Sequence, residues 1–298
     1  MSKTLFLMNG SKKIRPALRE FLDNCSNKLG DDFQFISSQK EKELIELTKV
    51  NAANFQMIVA IGGDGTINEI VNGLMQLDLD TFPILALIPY GTGNDLYQST
   101  FFQTFHYPLF FQALEKPNVI HVDIGKLVTE KETRFFLNVA DIGFGGAVVL
   151  SLNKFRQKFG PSFSYGLAIL KTFVGFKRPI VRIVAQDFNY SGQLLLAAAC
   201  NGSIFGNGLH IHPGAQLNDG VLNMTILAKV SLLDYVRNVL KVKRGKRITH
   251  AEAHYFESSF LQLSAESGIL HAETDGEYIL GKSFEITLIP QRLKILSY

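Results

Sequence analysis

An α/β domain on a parallel sheet, followed by a β-rich, sandwich-like domain, is the fold class that the sequence predicts. Three observations predict it. Residues 1–122 alternate short apolar runs with longer runs of helical spacing. From about Val119 onward the pattern turns to alternating or wholly apolar runs of strand length, with few helical stretches between them. In the first region, glycine-bearing segments follow the strand runs, which is where open α/β sheets bind ligands.

In chain order the first region reads as strand "TLFLMN" (4–9), helix "IRPALREFLDNCSNKL" (14–29), strand "FQFIS" (33–37), helix "KELIELTKVNAA" (42–53), strand "MIVAIG" (57–62), helix "TINEIVNGLMQL" (66–77) and strand "PILALIPYG" (83–91). Strands that alternate with helices pair in parallel, because a parallel neighbour needs a long crossover, and the helices then cover both sheet faces. In the second region the strand runs are "IHVDIGKLV", "RFFLNVADIGFG", "PIVRIVAQDF", "SGQLLLAAACNG", "VLNMTILAK", "FLQLSAES", "ILHAETDGEYI" and "SFEITLIP". The helical exceptions there are "FSYGLAILKTFVGF" (163–176) and "SLLDYVRNVLKVKRG" (231–245). A chain of 298 residues suits two domains better than one. They are placed at 1–122 and 123–286, with 287–298, ending in "LKILSY", a candidate to rejoin the first.

Composition narrows the function class. With 46% hydrophobic and 19% charged residues, the chain is neither disordered nor collagen-like. A net charge of +3 is too weak to argue for nucleic acid, but it suits anionic small molecules or an anionic membrane surface. Cys25 and Cys200 share no metal or redox spacing, and reduced thiols in a cytoplasmic compartment follow. The opening "MSKTLFLMNGSKK" has no long apolar region or cleavage site, and no run approaches about 18 uninterrupted apolar residues, so a soluble cytoplasmic protein without a transmembrane segment is expected.

"VAIGGDGTINEI" (59–70) places Gly62, Gly63, Asp64, Gly65 and Thr66 between a strand and a helix whose Ile67, Ile70, Val71 and Leu74 share one face. Glycines there permit positive φ and the close approach of a ligand. The loop feeds a helix N-terminus, where free N–H groups and the helix dipole favour phosphate. A tight turn alone would account for one such loop. "NGSKK" (9–13) and "PYGTGND" (89–95) stand on the same rim, and three loops together favour an anionic ligand. In the last, Asn94 or Asp95 can cap a helix while Thr92 and adjacent amides face phosphate.

"GGDGT" followed by "PYGTGND", then "NGSIFGNGLHIHPGAQLNDGVLNMTIL" and "TDGE", resembles the diacylglycerol kinase catalytic-domain family, in its soluble bacterial lipid kinase branch, along nearly the whole chain. GGDGT alone is shared with NAD kinases and related to phosphofructokinase loops; the ordered set of four motifs is far more specific. The resemblance implies an α/β nucleotide domain, a β-sandwich, and an active-site cleft between them that holds ATP with Mg²⁺. It implies transfer of the γ-phosphoryl group to a hydroxyl of a lipid such as diacylglycerol, phosphatidylglycerol or a sphingoid base. Carried onto this chain, the nucleotide residues are Asn9 and Gly10, Ser38, then Gly62, Gly63, Asp64, Gly65, Thr66, Ile67 and Asn68, and Thr92. The family's first loop commonly reads Asn-Pro-x-Ser-Gly, where this chain has "MNGSKK".

The resemblance also implies an Mg²⁺ site at Asp219 with the backbone oxygens of Gln216 and Val221. Taken alone, "NDG" (218–220) is an ordinary β-turn, although a carboxylate beside backbone carbonyls can hold a hard cation. "TDGEY" (274–278) alone is an ordinary hairpin turn. In the family that turn faces the acceptor hydroxyl. Glu277 is then the general base, Asp275 supports it or binds metal-linked water, and Asp64 orients its loop or Mg²⁺.

The phenylalanine-rich "FFQTFHYPLFF" (101–111) and "FVGFKRP" (173–179) are candidates for contact with acyl chains, with core packing as the ordinary alternative. "KVKRGKR" (241–247) could meet anionic headgroups, a solvated loop being its ordinary description. The partners expected are therefore a lipid substrate presented at a membrane surface and no nucleic acid, with a homodimer admitted. Two rival readings are an NAD kinase-like small-molecule kinase, and a silent nucleotide- or lipid-binding regulator, against which Asp64, Asp219, Asp275 and Glu277 all speak. His210, His212, His250 and His254 lack the spacing of a zinc site.

Overall fold

The computed structural model describes residues 3–101, 104–159 and 161–298; Phe102 and Gln103 of the phenylalanine-rich segment lie outside them. The chain divides into two compact units, Met1–Val122 with Pro290–Tyr298, and Asp123–Ile289.

The first unit alternates β1 (Thr4–Met8), α1 (Pro16–Leu29), β2 (Phe33–Ser37), α2 (Glu43–Asn51), β3 (Met57–Gly62), α3 (Asp64–Leu74) and β4 (Ile84–Pro89), followed by α4 (Asp95–Phe101) and α5 (Tyr107–Glu115). The strands pair in parallel in the order β2-β1-β3-β4. Every residue of β1 and β3 is buried, which is why both read as unbroken apolar runs rather than alternating ones. Pro16 starts α1, where its missing N–H is no loss, and Leu18, Phe21, Leu22 and Cys25 turn inward. Phe105 and Phe110 pack with Phe21, Tyr107 and Tyr298. These rings serve the core, the ordinary alternative for that segment.

The second unit opens with β5 (Asn118–Val128), which straddles the boundary, and continues with β6 (Thr133–Phe136), β7 (Val139–Gly143), α6 (Phe144–Phe159), α7 (Pro161–Gly175), β8 (Ile180–Ala185), β9 (Asn189–Gln193) and β10 (Leu196–Cys200). The short pair β11 (Ile204–Phe205) and β12 (Leu209–His210) precedes β13 (Leu222–Leu227), α8 (Leu232–Lys243), β14 (Ala253–Ser258), β15 (Phe260–Ala265), β16 (Leu270–Thr274), β17 (Glu277–Gly281) and β18 (Ser283–Ser297). One antiparallel sheet runs β14-β13-β10-β7-β16-β17. A second is formed by β18, β15, β8 and β9. Alternate residues of both, such as Ile142, Ala197, Met224 and Ala272 against Ile183, Leu263 and Ile286, make a sandwich core. The final residues of β18 belong to the first unit, where Ile295 pairs in parallel with Leu85.

Helix α6 departs from the sequence pattern, in which "RFFLNVADIGFG" reads as strand and only two helices stand out in this region. Strand β7 ends at Gly143, with φ +116°, and the helix begins at Phe144. Gly143, Gly145 and Gly146 fall at its start and hide it, glycine being among the poorest helix formers. Packing supplies what propensity lacks: Phe144, Val148 and Leu152 pack with Ala168 and Phe173 of α7 over Leu196, Ala198 and Cys200. Phe173, proposed for acyl contact, therefore lies in this cluster.

Candidate functional site

In the first unit the three predicted loops sit at the carboxyl ends of β1, β3 and β4. After β1, the Gly10 N–H donates to Ser38 Oγ at 3.2 Å, the Ser38 N–H to Met8 O at 2.9 Å, and the Ser11 N–H to Asn9 Oδ1 at 3.0 Å. Asn9, Gly10 and Ser38 are thus brought together. Lys12, Lys13 and Arg15 follow, all exposed. The Arg15 guanidinium lies 5.2 Å from the Tyr90 ring centre, and the Tyr90 hydroxyl accepts from Arg15 N–H and donates to Lys13 O, each at 2.9 Å.

Gly63 precedes α3 as its cap and provides no side chain, so the first-turn amides of Asp64, Gly65 and Thr66 are not closed off by one. The Tyr90 N–H donates to Gly62 O at 2.7 Å and draws the third loop alongside. A Cβ added to Gly63 would lie 2.9 Å from Gly91 Cα, and one added to Gly91 would collide with Gly63 Cα. The positive φ expected of Gly62, Gly63 and Gly65 is absent from all three; the residue with left-handed backbone is Asn94, at φ +56°. Its Oδ1 accepts from Gly91 N–H at 2.9 Å, which offsets the strain. Gly63 and Gly91 are required by the approach of one loop to the other, and Gly62 by the Thr66 side chain that a Cβ there would strike, rather than by turn geometry.

Asp64 Oδ1 accepts from the Leu96 N–H at 2.9 Å, so this carboxylate joins the starts of α3 and α4. Thr92 is exposed, whereas Thr66, Ile67 and Asn68 are buried. The Asn68 side chain accepts from Asn72 Nδ2 at 3.1 Å, and Ile67 faces the interior.

In the second unit the β16–β17 turn has φ +49° at Asp275 and +89° at Gly276, the left-handed pair of a type I′ hairpin. The Asp275 carboxylate accepts three backbone N–H groups, from Leu137 at 2.9 Å and from Asn138 and Val139 at 3.0 Å each. It is the anchor of the turn. Glu277, next along, is half-buried. The same junction is gripped from another side by Asn201, whose Nδ2 donates to Leu137 O at 2.7 Å and Asp123 O at 2.9 Å.

Asp123 is fully buried, and its Oδ2 accepts the Gly220 N–H at 2.8 Å. The neighbouring Asp219 is exposed; its Oδ1 accepts from Val221 N–H at 3.1 Å, and its Oδ2 from Gln216 N–H at 3.3 Å and Asn223 Nδ2 at 2.8 Å. The predicted metal segment therefore wraps its own aspartate, with Asp123 as a second carboxylate that sequence reading missed. In "HVDIG" that residue looks like any alternating strand position. Among the described residues no three His, Cys, Asp or Glu side chains converge. The recorded partners of both carboxylates are N–H donors, and carboxylate oxygens without thiol or imidazole beside them suit Mg²⁺, which keeps several waters and takes few protein ligands, and do not suit Zn²⁺.

Two further buried acids also escape a reading of the sequence. Asp141 on β7 and Glu273 on β16 are direct register partners, 0% and 3% exposed. Both Asp141 oxygens and Glu273 Oε1 lack hydrogen-bond partners, while Glu273 Oε2 accepts the Gly276 N–H at 2.6 Å. A Cβ on Gly145 would strike the Asp141 carboxyl, so glycine there leaves room for the buried acid. Burial pushes both carboxyls well above the ordinary range, and the Asp141 neighbour raises Glu273 further. Cys200, close to both, is raised by burial and then by their charge, an inert thiol.

A parallel α/β unit with three linked glycine loops, and a β-sandwich unit with an anchored acidic turn, together define a phosphotransferase with an alcohol group as acceptor. Comparison with known proteins bears on which one. Residues 3–127 match the diacylglycerol kinase catalytic domain, and residues 138–297 match the YegS C-terminal NAD kinase beta sandwich-like domain. The chain belongs to this YegS-like family of the diacylglycerol kinase catalytic-domain class. "Probable lipid kinase YegS-like" of Yersinia pestis is 27% identical over 300 residues, covering 99% of this chain and 96% of its own length. A diacylglycerol kinase structure from Bacillus anthracis aligns with TM-score 0.72 at 18% identity, over 99% of this chain and 96% of that one. An NAD kinase from Archaeoglobus fulgidus in complex with ATP aligns with TM-score 0.53 at 13% identity, over 99% and 93% of the two chains. At such identities these two likenesses speak for the fold.

Proposed function

We propose that the protein is an ATP- and Mg²⁺-dependent lipid kinase that moves the γ-phosphoryl group to a hydroxyl of a lipid such as diacylglycerol, phosphatidylglycerol or a sphingoid base. The observation that carries it is the junction of Gly63 with Gly91 at the uncapped start of α3. Amides held there by the fold need no reorganisation to receive phosphate oxygens, and preorganised donors of this kind usually contribute more than any other effect to phosphoryl transfer. Asn9, Gly10, Ser38 and Thr92 border the nucleotide. Lys12 and Lys13 add positive charge beside the first loop.

Asp219, with Asp123 and the backbone oxygens of Gln216 and Val221, would hold Mg²⁺, which when bound neutralises phosphate charge. Glu277 takes the proton of the acceptor hydroxyl. Asp275 keeps it in place: with its carboxylate occupied by three amides, it positions the turn rather than exchanging protons itself. Asp64 fixes the second loop to α4. The protein is read as cytoplasmic, acting on lipid at a membrane surface.

The test is one assay: labelled ATP with diacylglycerol, phosphatidylglycerol, sphingosine and NAD in separate reactions, and chromatography of the products. Label in a lipid and not in NAD is expected. Label in NAD alone would make the protein a small-molecule kinase, and ATP left unused with every acceptor would overturn the kinase reading.

A further inference from the structure

Lys229, Arg237, Lys241, Lys243, Arg244, Lys246 and Arg247 crowd into 19 residues with one acid, Asp234. Outside that segment the chain holds 23 basic and 26 acidic residues, so the molecule's positive charge is concentrated here. All seven cations are exposed, and among the described residues none forms an ion pair. Helix α8 arranges part of this charge. Leu233, Arg237, Leu240 and Arg244 recur at spacings of four, three and four, which places them on one face with Lys241 beside it. Leu233 is 56% exposed and Leu240 61%, whereas Asn238 and Val242 on the opposite side are buried.

The face is built rigidly. Ser231 and Asp234 form a reciprocal capping box at the start of α8. At its end the Lys246 N–H returns to Lys241 O at 2.9 Å around Gly245, φ +69°, which holds the basic loop against the helix. Arg178 donates to Val230 O at 2.5 Å just before it.

We propose that this face of α8, continued by the loop to Arg247, docks the protein on an anionic lipid bilayer. The inference rests on the lipid kinase reading, whose acceptor resides in such a surface. Charge complementarity selects the partner's sign, and the two leucines select its kind. A nucleic acid would use the cations and leave the leucines in water, whereas a bilayer takes both, with leucine in the acyl boundary and the cations at headgroup level. Each cation near an anionic surface improves partitioning by roughly fivefold, falling off within about a Debye length. No described helix is long and apolar enough to cross a membrane, so the attachment would be to one face of it.

The test is sedimentation of the full chain with vesicles of phosphatidylcholine alone or mixed with phosphatidylglycerol, at low and high salt, beside retention of tRNA. Wild type is expected to sediment with the mixed vesicles only, and less at high salt. The variant R237Q/K241Q/R244Q should lose on the order of 100-fold in partitioning by the same per-cation factor, and Leu233→Ser with Leu240→Ser should weaken whatever binding survives high salt. Unchanged sedimentation of the charge variant, or capture of tRNA with no capture of vesicles, would overturn the proposal. A kinase assay on detergent-dispersed lipid keeps the two readings apart. Activity there should be equal in wild type and variants, while its absence in wild type would count against the kinase and leave the vesicle result to decide the docking face.

Discussion

Replacing Asp141 by asparagine should make the protein gain stability relative to wild type as the pH rises. Asp141 and Glu273 face each other across β7 and β16, neither forms an ion pair among the described residues, and burial holds both carboxyls well above their ordinary values of 3.8 and 4.5. The sign follows from linkage. A group whose pKa is higher in the folded chain contributes stability fully below its unfolded value and loses it as the pH climbs toward the folded one, because the unfolded chain sheds a proton that the folded chain keeps. For each pH unit above the unfolded value over which one carboxyl keeps its proton in the folded chain, the loss is about 1.4 kcal/mol. Asparagine has nearly the same shape and does not titrate. The cost of its unpaired amide applies equally at every pH and drops out of the comparison. The chain has no Trp, so urea unfolding is best followed by circular dichroism, with wild type and Asp141→Asn measured at about pH 5 and about pH 7. A stability difference between the two proteins that stays constant across that range would refute the account, as would an infrared spectrum of the folded wild type showing both carboxyls ionised at neutral pH.

Other outcomes follow from the same geometry. Gly91→Ala should part the loop from Gly63, with an overpacking cost of about 1–3 kcal/mol falling on the phosphate site, and titration with ATP should show weakened binding while the circular dichroism spectrum is unchanged. Glu277→Ala should reduce turnover by about 10²–10⁴ with nucleotide affinity kept; normal turnover would remove the residue from the role of base. Asp275→Ala leaves three amides of the Leu137–Val139 junction without their acceptor, and urea unfolding should show a loss of about 3 kcal/mol or more, with activity falling alongside it.

Much of this was legible in the residues because it is local chemistry. The unbroken apolar runs of β1 and β3, the glycine loops after them and the Asp-Gly turn before Glu277 each owe their form to neighbours a few positions away. The parallel sheet followed from strict alternation, since the crossover constrains how such strands can pair. The start of α6 was not legible, because its glycines argue against helix and only packing on the sheet outweighs them.

What tertiary structure alone decided is which distant groups meet. Asp275 reaches amides more than 130 positions earlier in the chain, Gly220 finds a carboxylate at Asp123, and two acids on separate strands become register partners. The left-handed backbone fell to Asn94, and Gly63 owes its bare Cα to Gly91. Such pairings depend on strand register, which sums many small burial and hydrogen-bond contributions over the whole sheet. No single segment contains that sum, so its own residues can announce a turn, a helix start or a strand without stating what it will touch.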